Sequence, residues 1–579
     1  MRLLPFAISV AGALAAGGPY PASARQTLPA WDNVVAYEIL TDRFANGDAD
    51  NDNAYGRGLD EAGQRLDAGP YDFHGGDLQG VADAIRSGHF SDVGVTAIRV
   101  SPPFEQIHGA VTFQGNRMFA FAGGWPLDFT SIDEGYGGEA ALADLVRTAH
   151  EAGIRVVLEV NVNVAGPPTE TDRLEFGFGL PLNRSAETAS ADAGAPVSEL
   201  LALSGADSAG MQPSDSLMQT PAEPPDVSWR AWWGPSWVRA DLPGYSPCGD
   251  ERTTQCQNGW PDFRTEVGEP ADIPTFLVRK WGPEKTALER ASLQAFFTRT
   301  RHARTPRHYL IKWLTDWVAR YGIDGFYARD AGAVDVGLWS ALRAEADIAL
   351  ADWRDAAGFA PTMPESFWLG TDVDVDSEMA SILFDRGFSS MNLEVSASAL
   401  DPVRIDSLYS VLSDTLSAQP GRGFALSLDP GRSPPDARTM TAFLLSPGTI
   451  TLPFGLDFDN NGGPPPLNDG GAFSTPEWAE VARFRRRHRA IGAGAHEQIS
   501  VEPYAFRRTL RSSGVDDNVV VVLGAEGRTR INVSGAFPDD AIVRDALTGS
   551  TGFVSFGYVS LTPGPTGTLL LELAEQGEQ

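Results

Sequence analysis

Short apolar runs, each joined to a stretch of helical periodicity, recur along most of this chain. That alternation limits the folds open to it more than any other feature. "VVAYEIL", "VTAIRVS" and "IRVVLEVNV" come first, the last preceded by the amphipathic "EAALADLVRTAHEAG". "IDGFYA" follows "YLIKWLTDWVARYG", whose apolar residues recur at helical spacing, and "PTMPESFWL", "GFALSLD" and "GTITLPF" come later. Strand alternating with helix over such a length predicts a parallel α/β fold, most economically a (β/α)8 TIM barrel.

Two segments break the rhythm. Residues 167–307 are too long for a βα loop and read as an inserted, loop-rich subdomain. Within it, Ala, Ser, Pro and Gly concentrate between Ser185 and Asp226. After "FRRRHRAIG", the runs "NVVVVLGAEG", "DAIVRDALTG", "GFVSFGYVSL" and "GTLLLELA" predict a C-terminal antiparallel β domain over 497–579. The barrel is therefore expected in two parts, 25–166 and 308–496.

Residues 1–24 read as a signal peptide for export. Arg2 supplies the positive end, "LLPFAISVAGALAA" the apolar stretch, and Ala22-Ser23-Ala24 the small-residue cleavage site. A periplasmic or extracellular protein is the expectation. The two cysteines, Cys248 and Cys256, enclose "GDERTTQ"; this spacing suits a disulfide better than a metal site, since it is not C-x-x-C and no histidine lies nearby. A net charge of −31 argues against nucleic acid and anionic membranes as partners. No apolar run beyond the N-terminus reaches the roughly 20 residues a membrane span needs.

Longer motifs occur in a fixed order: "YEILTDRFANGDADND", "FHGGDLQGVADAI", "DVGVTAIRVSPPFE" and "GGWPLDFTSIDEGYG", then "WVRADLPGY", "NGWPDFRTE" and "RTPRHYLIKWLTDWVARYGIDGF". This series resembles the α-amylase family, glycoside hydrolase family 13, over nearly the whole mature chain, and most closely its periplasmic branch acting on maltodextrins. The resemblance implies an active site at the C-terminal ends of the barrel strands. It also implies a retaining mechanism, which needs two carboxylates roughly 5 Å apart.

Carried over residue by residue, the resemblance implies departures where the chemistry would be. The third strand offers Glu159, then Asn163, with Val164 at the place of a sugar-binding histidine. In the fourth strand Gly325 and Phe326 match, but Tyr327 stands where the family has arginine and Arg329 where it has the nucleophile. Asp330 is adjacent, yet strand side chains alternate faces, so it does not simply replace its neighbour. The acid/base position falls on Asp372, or on Thr371 with a one-residue shift. The seventh strand keeps Asp429 beside Ser427 and Leu428, and Ala122 replaces a histidine in the loop after the second strand. The resemblance further implies a substrate pocket that includes Glu159, Tyr327, Phe121 and Trp125.

Losing a nucleophile costs on the order of 10⁴ to 10⁶ in rate. The expectation is a pocket plugged by salt bridges from Arg329 to Glu159, Asp372 and Asp429, with those acids held ionised. The chain then reads as a catalytically impaired or non-catalytic pseudoenzyme that binds an α-glucan, a maltodextrin or a protein partner. The alternative is an active α-glucan hydrolase or transferase whose nucleophile is Asp330 or Glu159. Calcium is expected at Asn46, Asp48, Asn51, Asp52, Gly75 and Asp77, since the ion takes carboxylate, amide and carbonyl oxygens. A second Ca²⁺ site would use Asn163 and Asp262. Trp229, Trp232, Trp233 and Trp237 form an aromatic cluster that reads as packing before sugar stacking.

Overall fold

The structure, a computed structural model, describes residues 28–57, 69–113, 116–178, 232–241, 245–358, 366–375, 377–401, 404–418, 422–429, 437–452, 476–512 and 514–574. The expected signal peptide, the stretch from Ser185 to Asp226 and Trp229 lie outside these residues.

Eight strands close into a barrel: β1 Val35–Ile39, β2 Ala97–Val100, β3 Arg155–Val160, β4 Gly325–Ala328, β5 Trp368–Asp374, β6 Ser390–Ser396, β7 Gly423–Asp429 and β8 Thr449–Leu452. Each is parallel to the next, and β8 returns to β1. Both faces of these strands are covered, so the sequence shows apolar runs and not a simple alternation. Outward residues such as Tyr37, Ile98, Leu158, Phe326 and Leu369 are buried in the main core. Helix Pro306–Tyr321 begins with proline at its first turn and ends at Gly322, with φ 72°. A β-carbon at Gly322 would lie 2.4 Å from the Trp353 ring, so the turn that feeds β4 requires glycine.

The barrel is sealed at the N-terminal ends of its strands. Trp31 and Trp368 stack with ring centroids 5.0 Å apart, and the Arg155 guanidinium lies 4.6 Å from the centre of the Trp31 ring. Arg155 is held by Asp324, which also receives His150 Nε2 at 2.8 Å.

The strand–helix rhythm lapses in the insertion, as expected, but the insertion is not all loop. Thr275–Thr300 is helical, with a break at Gly282, φ 68°, followed by Pro283. That Gly-Pro pair interrupts the apolar period and hides the helix from a periodicity reading. Trp232, Trp233 and Trp237 are buried, and Trp237 stacks on Trp313 of helix Pro306–Tyr321 at 5.5 Å, so these rings are packing. Cys248 and Cys256 are joined in a disulfide.

The C-terminal strands are β9 Ala495–Val501, β10 Tyr504–Ser512, β11 Val515–Leu523, β12 Thr529–Asn532, β13 Ile542–Asp545, β14 Thr551–Phe553, β15 Tyr558–Leu561 and β16 Leu569–Leu573. Six form an antiparallel sheet in the order β9-β10-β11-β16-β13-β14, and β12 pairs with β15. A fully buried arginine on β10 ties this domain to the barrel: Arg508 donates to the carbonyl of Leu445. Just beside it, within the barrel, the equally buried Arg485 donates to the carbonyls of Leu444 and Ser446. Among the described residues no helix is long and apolar enough to cross a membrane.

Candidate functional site

Alternation along the first four barrel strands turns a line of charges into the interior. Glu38 on β1 lies in register with Arg99 on β2, and Glu159 on β3 with Tyr327 on β4. Arg99 Nη2 is 2.5 Å from Glu38 Oε2, and its Nε is 3.0 Å from Glu159 Oε1. Arg329, one residue past β4, brings Nε to 2.6 Å and Nη2 to 2.5 Å from the other oxygen, Glu159 Oε2. The result is a chain of alternating sign, Glu38–Arg99–Glu159–Arg329, with three members on adjacent strands and the fourth just past the end of the next. Below it, the Arg99 guanidinium sits 3.9 Å from the centre of the Tyr327 ring.

The electrostatics follow from depth. Burial pushes the Glu159 carboxyl above its ordinary range, outweighing the pull of Arg99 and Arg329. The pull of Arg329 is in the expected direction, toward the charged form, but burial sets the net result. Burial works against the Arg329 charge, but Glu159 more than compensates and raises it. Burial likewise pushes the Tyr327 hydroxyl up to about 12 against the opposing effect of Arg99.

The salt-bridge plug is also narrower than expected. Arg329 pairs with Glu159, and neither Asp372 nor Asp429 is among its ion pairs. Asp372 is exposed on β5 next to a register shift, and Thr371 Oγ1 donates to its Oδ1 at 3.1 Å. Thr371 itself is 1% exposed, so Asp372 is the one of the two that reaches the mouth. Asp429 ends β7 in register with Ser396 of β6. Asp330 lies beyond the end of β4 with φ 51° and opens a short turn over Ala331–Ala333. Its carboxyl is raised by burial and then by the charge of Asp372, with Arg329 opposing.

Two aromatic pocket candidates flank this region on the loop after β2. Phe121 is half-buried beneath the Arg43 guanidinium at 4.0 Å, and its carbonyl accepts from the Tyr136 hydroxyl. Trp125 packs against Trp260 with centroids 4.8 Å apart.

The first group of expected calcium ligands comes together around Gly75. A β-carbon there would meet Asp52 Oδ1 at 2.5 Å and Asn46 Nδ2 at 2.9 Å, so the backbone is drawn into a cradle. Asn51 Oδ1 is buried without a hydrogen-bond partner, as a metal-facing oxygen would be. Asp77 differs from its neighbours. It accepts from the backbone N–H groups of Gly47, Asp48 and Gly80 and from the Asn51 amide, which uses about the four lone-pair sites a carboxylate has. In the second group both amide atoms of Asn163 are buried and unpartnered. Asp262 is pushed up to about 7 by burial, with Arg239 lowering it from 3.5 Å away. Among the described residues no three His, Cys, Asp or Glu side chains gather as a metal cluster, so any bound ion would rest on amide and carbonyl oxygens as well.

Glu38 and Arg99 belong to this site although neither stands out as a candidate in the motifs. Their signal was present: each is a charge in the middle of a strand otherwise built to be buried, "VAYEI" and "AIRV". Buried charges come in pairs, so one implies a partner on a neighbouring strand.

Residues 38–171 match the profile of the alpha amylase catalytic domain. A periplasmic alpha-amylase of Escherichia coli is 31% identical over 521 residues, which is 85% of this chain and 72% of that protein. A cyclomaltodextrin glucanotransferase of Niallia circulans is 36% identical over 138 residues, 24% of this chain and 18% of that one. In three dimensions the chain is similar to an alpha-amylase of Anoxybacillus, with a TM-score of 0.56 and 16% identity over 94% of this chain and 98% of that chain. An alpha-amylase of Geobacillus thermoleovorans, solved with acarbose, gives 0.55 and 15% over 95% and 100%. With the long match to the periplasmic enzyme and the closed eight-stranded barrel, this chain belongs to the α-amylase family, glycoside hydrolase family 13.

Proposed function

We propose that this is an exported α-amylase-family protein of α-glucan or maltodextrin metabolism whose barrel binds carbohydrate without ordinary hydrolysis. The observation that carries the reading is Arg329 at the end of β4, tied through both Nε and Nη2 to Glu159. A guanidinium has five donors and no lone pair to offer, so it cannot attack an anomeric carbon. Glu159 is 1% exposed between two arginines and is poorly placed to take over that role. Export is supported by the N-terminal signal pattern, by the disulfide and by the periplasmic relative.

The test is reducing-sugar release from maltoheptaose and soluble starch by the mature protein and by Arg329→Asp. No turnover by the parent, with some in the variant, is the expected result. Clear turnover by the parent overturns the reading.

A second reading has one observation in its favour: the Asp330 carboxyl responds to the charge of Asp372, so the two acids share the mouth. In that case the protein is an active glycosidase with a relocated carboxylate, and Asp330→Asn abolishes its turnover.

We further propose that Ca²⁺ binds Asn46, Asp48, Asn51, Asp52 and the Gly75 carbonyl, with Asp77 organising the loop. The orphaned Asn51 oxygen and the cradle at Gly75 support this fit. A second Ca²⁺ between Asn163 and Asp262 is supported by the unpartnered Asn163 amide, although Arg239 competes for the same carboxylate. At either place the ion would tie segments together and supply no reactive group.

A further inference from the structure

The two cysteines close a small loop of the insertion, and that loop reaches the barrel mouth. Cys248 and Cys256 are joined across a sequence separation of 8. Between them the backbone folds on itself. Gly249 N–H donates to the Thr254 carbonyl at 2.7 Å, and Thr254 N–H to the Glu251 carbonyl at 2.8 Å. From the insertion side, Cys248 N–H donates to Asp241 Oδ1 at 2.8 Å, and Arg239 Nη1 to the Thr253 carbonyl at 3.4 Å.

The other side of the loop carries Arg252, at the start of the turn Arg252–Thr254. Its Nη1 donates to the Gly332 carbonyl at 3.3 Å and lies 3.5 Å from Met379 Sδ, on helix Glu378–Asp385. A β-carbon on Gly332 would lie 3.4 Å from that nitrogen and 3.3 Å from Met379 Cγ. The guanidinium therefore rests against the backbone of the turn Ala331–Ala333.

That turn needs holding. It directly follows Arg329 and Asp330, and Asp330 has φ 51°, a conformation that residues other than glycine keep only where their surroundings fix it. From the barrel side, Trp339 Nε1 donates to the Ala331 carbonyl at 2.9 Å. From the insertion side Arg252 holds Gly332, and farther on Thr265 Oγ1 accepts from Asp335 N–H at 3.0 Å. Arg252 is exposed, and ordering so long a side chain costs about what one surface hydrogen bond returns. The contact persists when the loop presents the arginine already in place, and closing the loop with a disulfide does that.

We propose that Arg252 is a positioning residue for the barrel mouth and that the Cys248–Cys256 disulfide is the redox switch that arms it. Both cysteines are partly exposed, so a dithiol can reach them. One thiolate of the dithiol bonds to one sulfur of the pair, and the other cysteine leaves as a thiolate and takes up a proton. The second thiol of the dithiol then displaces the first cysteine, which is protonated in turn, and the reductant is left as a disulfide. Two electrons have passed to the protein, which ends with two thiols. The loop loses its closure, Arg252 leaves Gly332, and the turn beside Arg329 and Asp330 is released. The importance of that turn rests on reading the mouth as the carbohydrate-binding end of the barrel.

Hydrogen exchange of the full mature protein, followed by mass spectrometry over 326–336, is the test. Dithiothreitol, the paired change Cys248→Ser with Cys256→Ser, and Arg252→Ala should each speed exchange in 330–335 about tenfold. Arg252→Lys, which keeps a donor, should retain most of the protection. In Arg252→Ala, dithiothreitol should add nothing at the mouth, whereas a disulfide serving only to stabilise the fold would act regardless of that change. Acceleration confined to 248–256, or spread evenly into β1, β2 and β3, overturns the proposal. So does a disulfide that dithiothreitol leaves intact. No sugar enters the measurement, so its failure and the failure of the carbohydrate-binding reading are told apart.

Discussion

Arg99 is the residue on which the barrel interior depends most directly. It is buried, it bridges Glu38 and Glu159, and it covers the Tyr327 ring. Replacing it by methionine keeps much of the volume but leaves Glu159, 1% exposed, with Arg329 as its remaining counter-charge. Breaking a buried pair from one side costs about 3 kcal/mol or more. Urea denaturation of Arg99→Met should show a loss of that order, whereas Arg329→Met, made at the solvent end of the chain of charges, should lose less. Equal losses would mean that the two ends are equally shielded. At this scale the sequence was a mixed guide. Arg329 and Tyr327 could be singled out because they stand in a strand whose expected residues are known. Glu38 and Arg99 were as visible but unremarked, because their meaning is in each other and the pairing crosses strands far apart in the chain. Net effects of depth were not legible at all: Glu159 is raised and not lowered, because burial outweighs two guanidinium neighbours.

Among the elements, the join between the end of helix Pro476–Arg487, with His488 just beyond it, and the C-terminal sheet is the one that should respond to pH. Glu572 on β16 accepts from His488 Nε2 at 2.7 Å and from Arg544 Nη2 at 2.6 Å, and Arg487 lies 3.2 Å away. Burial alone would raise its carboxyl; the hydrogen bonds from His488 and Arg544 and the charge of Arg487 outweigh it and hold the group down to about 2 from 4.5. A depressed carboxylate contributes stability that is present above the unfolded value and disappears as pH falls through the folded one. His488 is shifted the other way: burial opposes its charge, but Asp517 and Glu572 raise it above 6.5. Its contribution is present below 6.5 and fades as pH rises through the raised value. The join should therefore be firmest between pH about 4.5 and 6.5, with an acid limb from 4.5 down to about 2. Thermal unfolding of Glu572→Gln across that acid range should show a flatter limb than the parent; an identical limb would place the acid sensitivity elsewhere. Element type was largely readable. Seven of the eight barrel strands overlap the apolar runs, although β5 begins only at Trp368, at the end of "PTMPESFWL". The exception is β6, Ser390–Ser396, which has no such run because Ser, Asn and Glu break its apolar character. The helix Thr275–Thr300 was not readable, because Gly282 and Pro283 cut its period in two.

For the whole molecule, the proposed calcium site and the sealed barrel floor are the features with the widest reach. If Ca²⁺ ties the loop of Asn46 to Asp52 against Gly75, chelation removes a ligand that binds only the folded state. A ligand present at 100 times its dissociation constant stabilises by about 2.7 kcal/mol, so EDTA should lower Tm by a few degrees and added Ca²⁺ should restore it. Asn51→Ala should abolish the difference, and a Tm indifferent to EDTA would remove the ion from the account. The barrel floor matters in another way. Because Trp31 and Trp368 stack across the far end of the cylinder, with Arg155 laid across Trp31, and Arg99, Glu159 and Tyr327 are buried above them, the interior is a packed column and not a chamber. A ligand can meet that column only at its upper rim, beside Arg329, so recognition is a matter of the surface it is shown and not of depth.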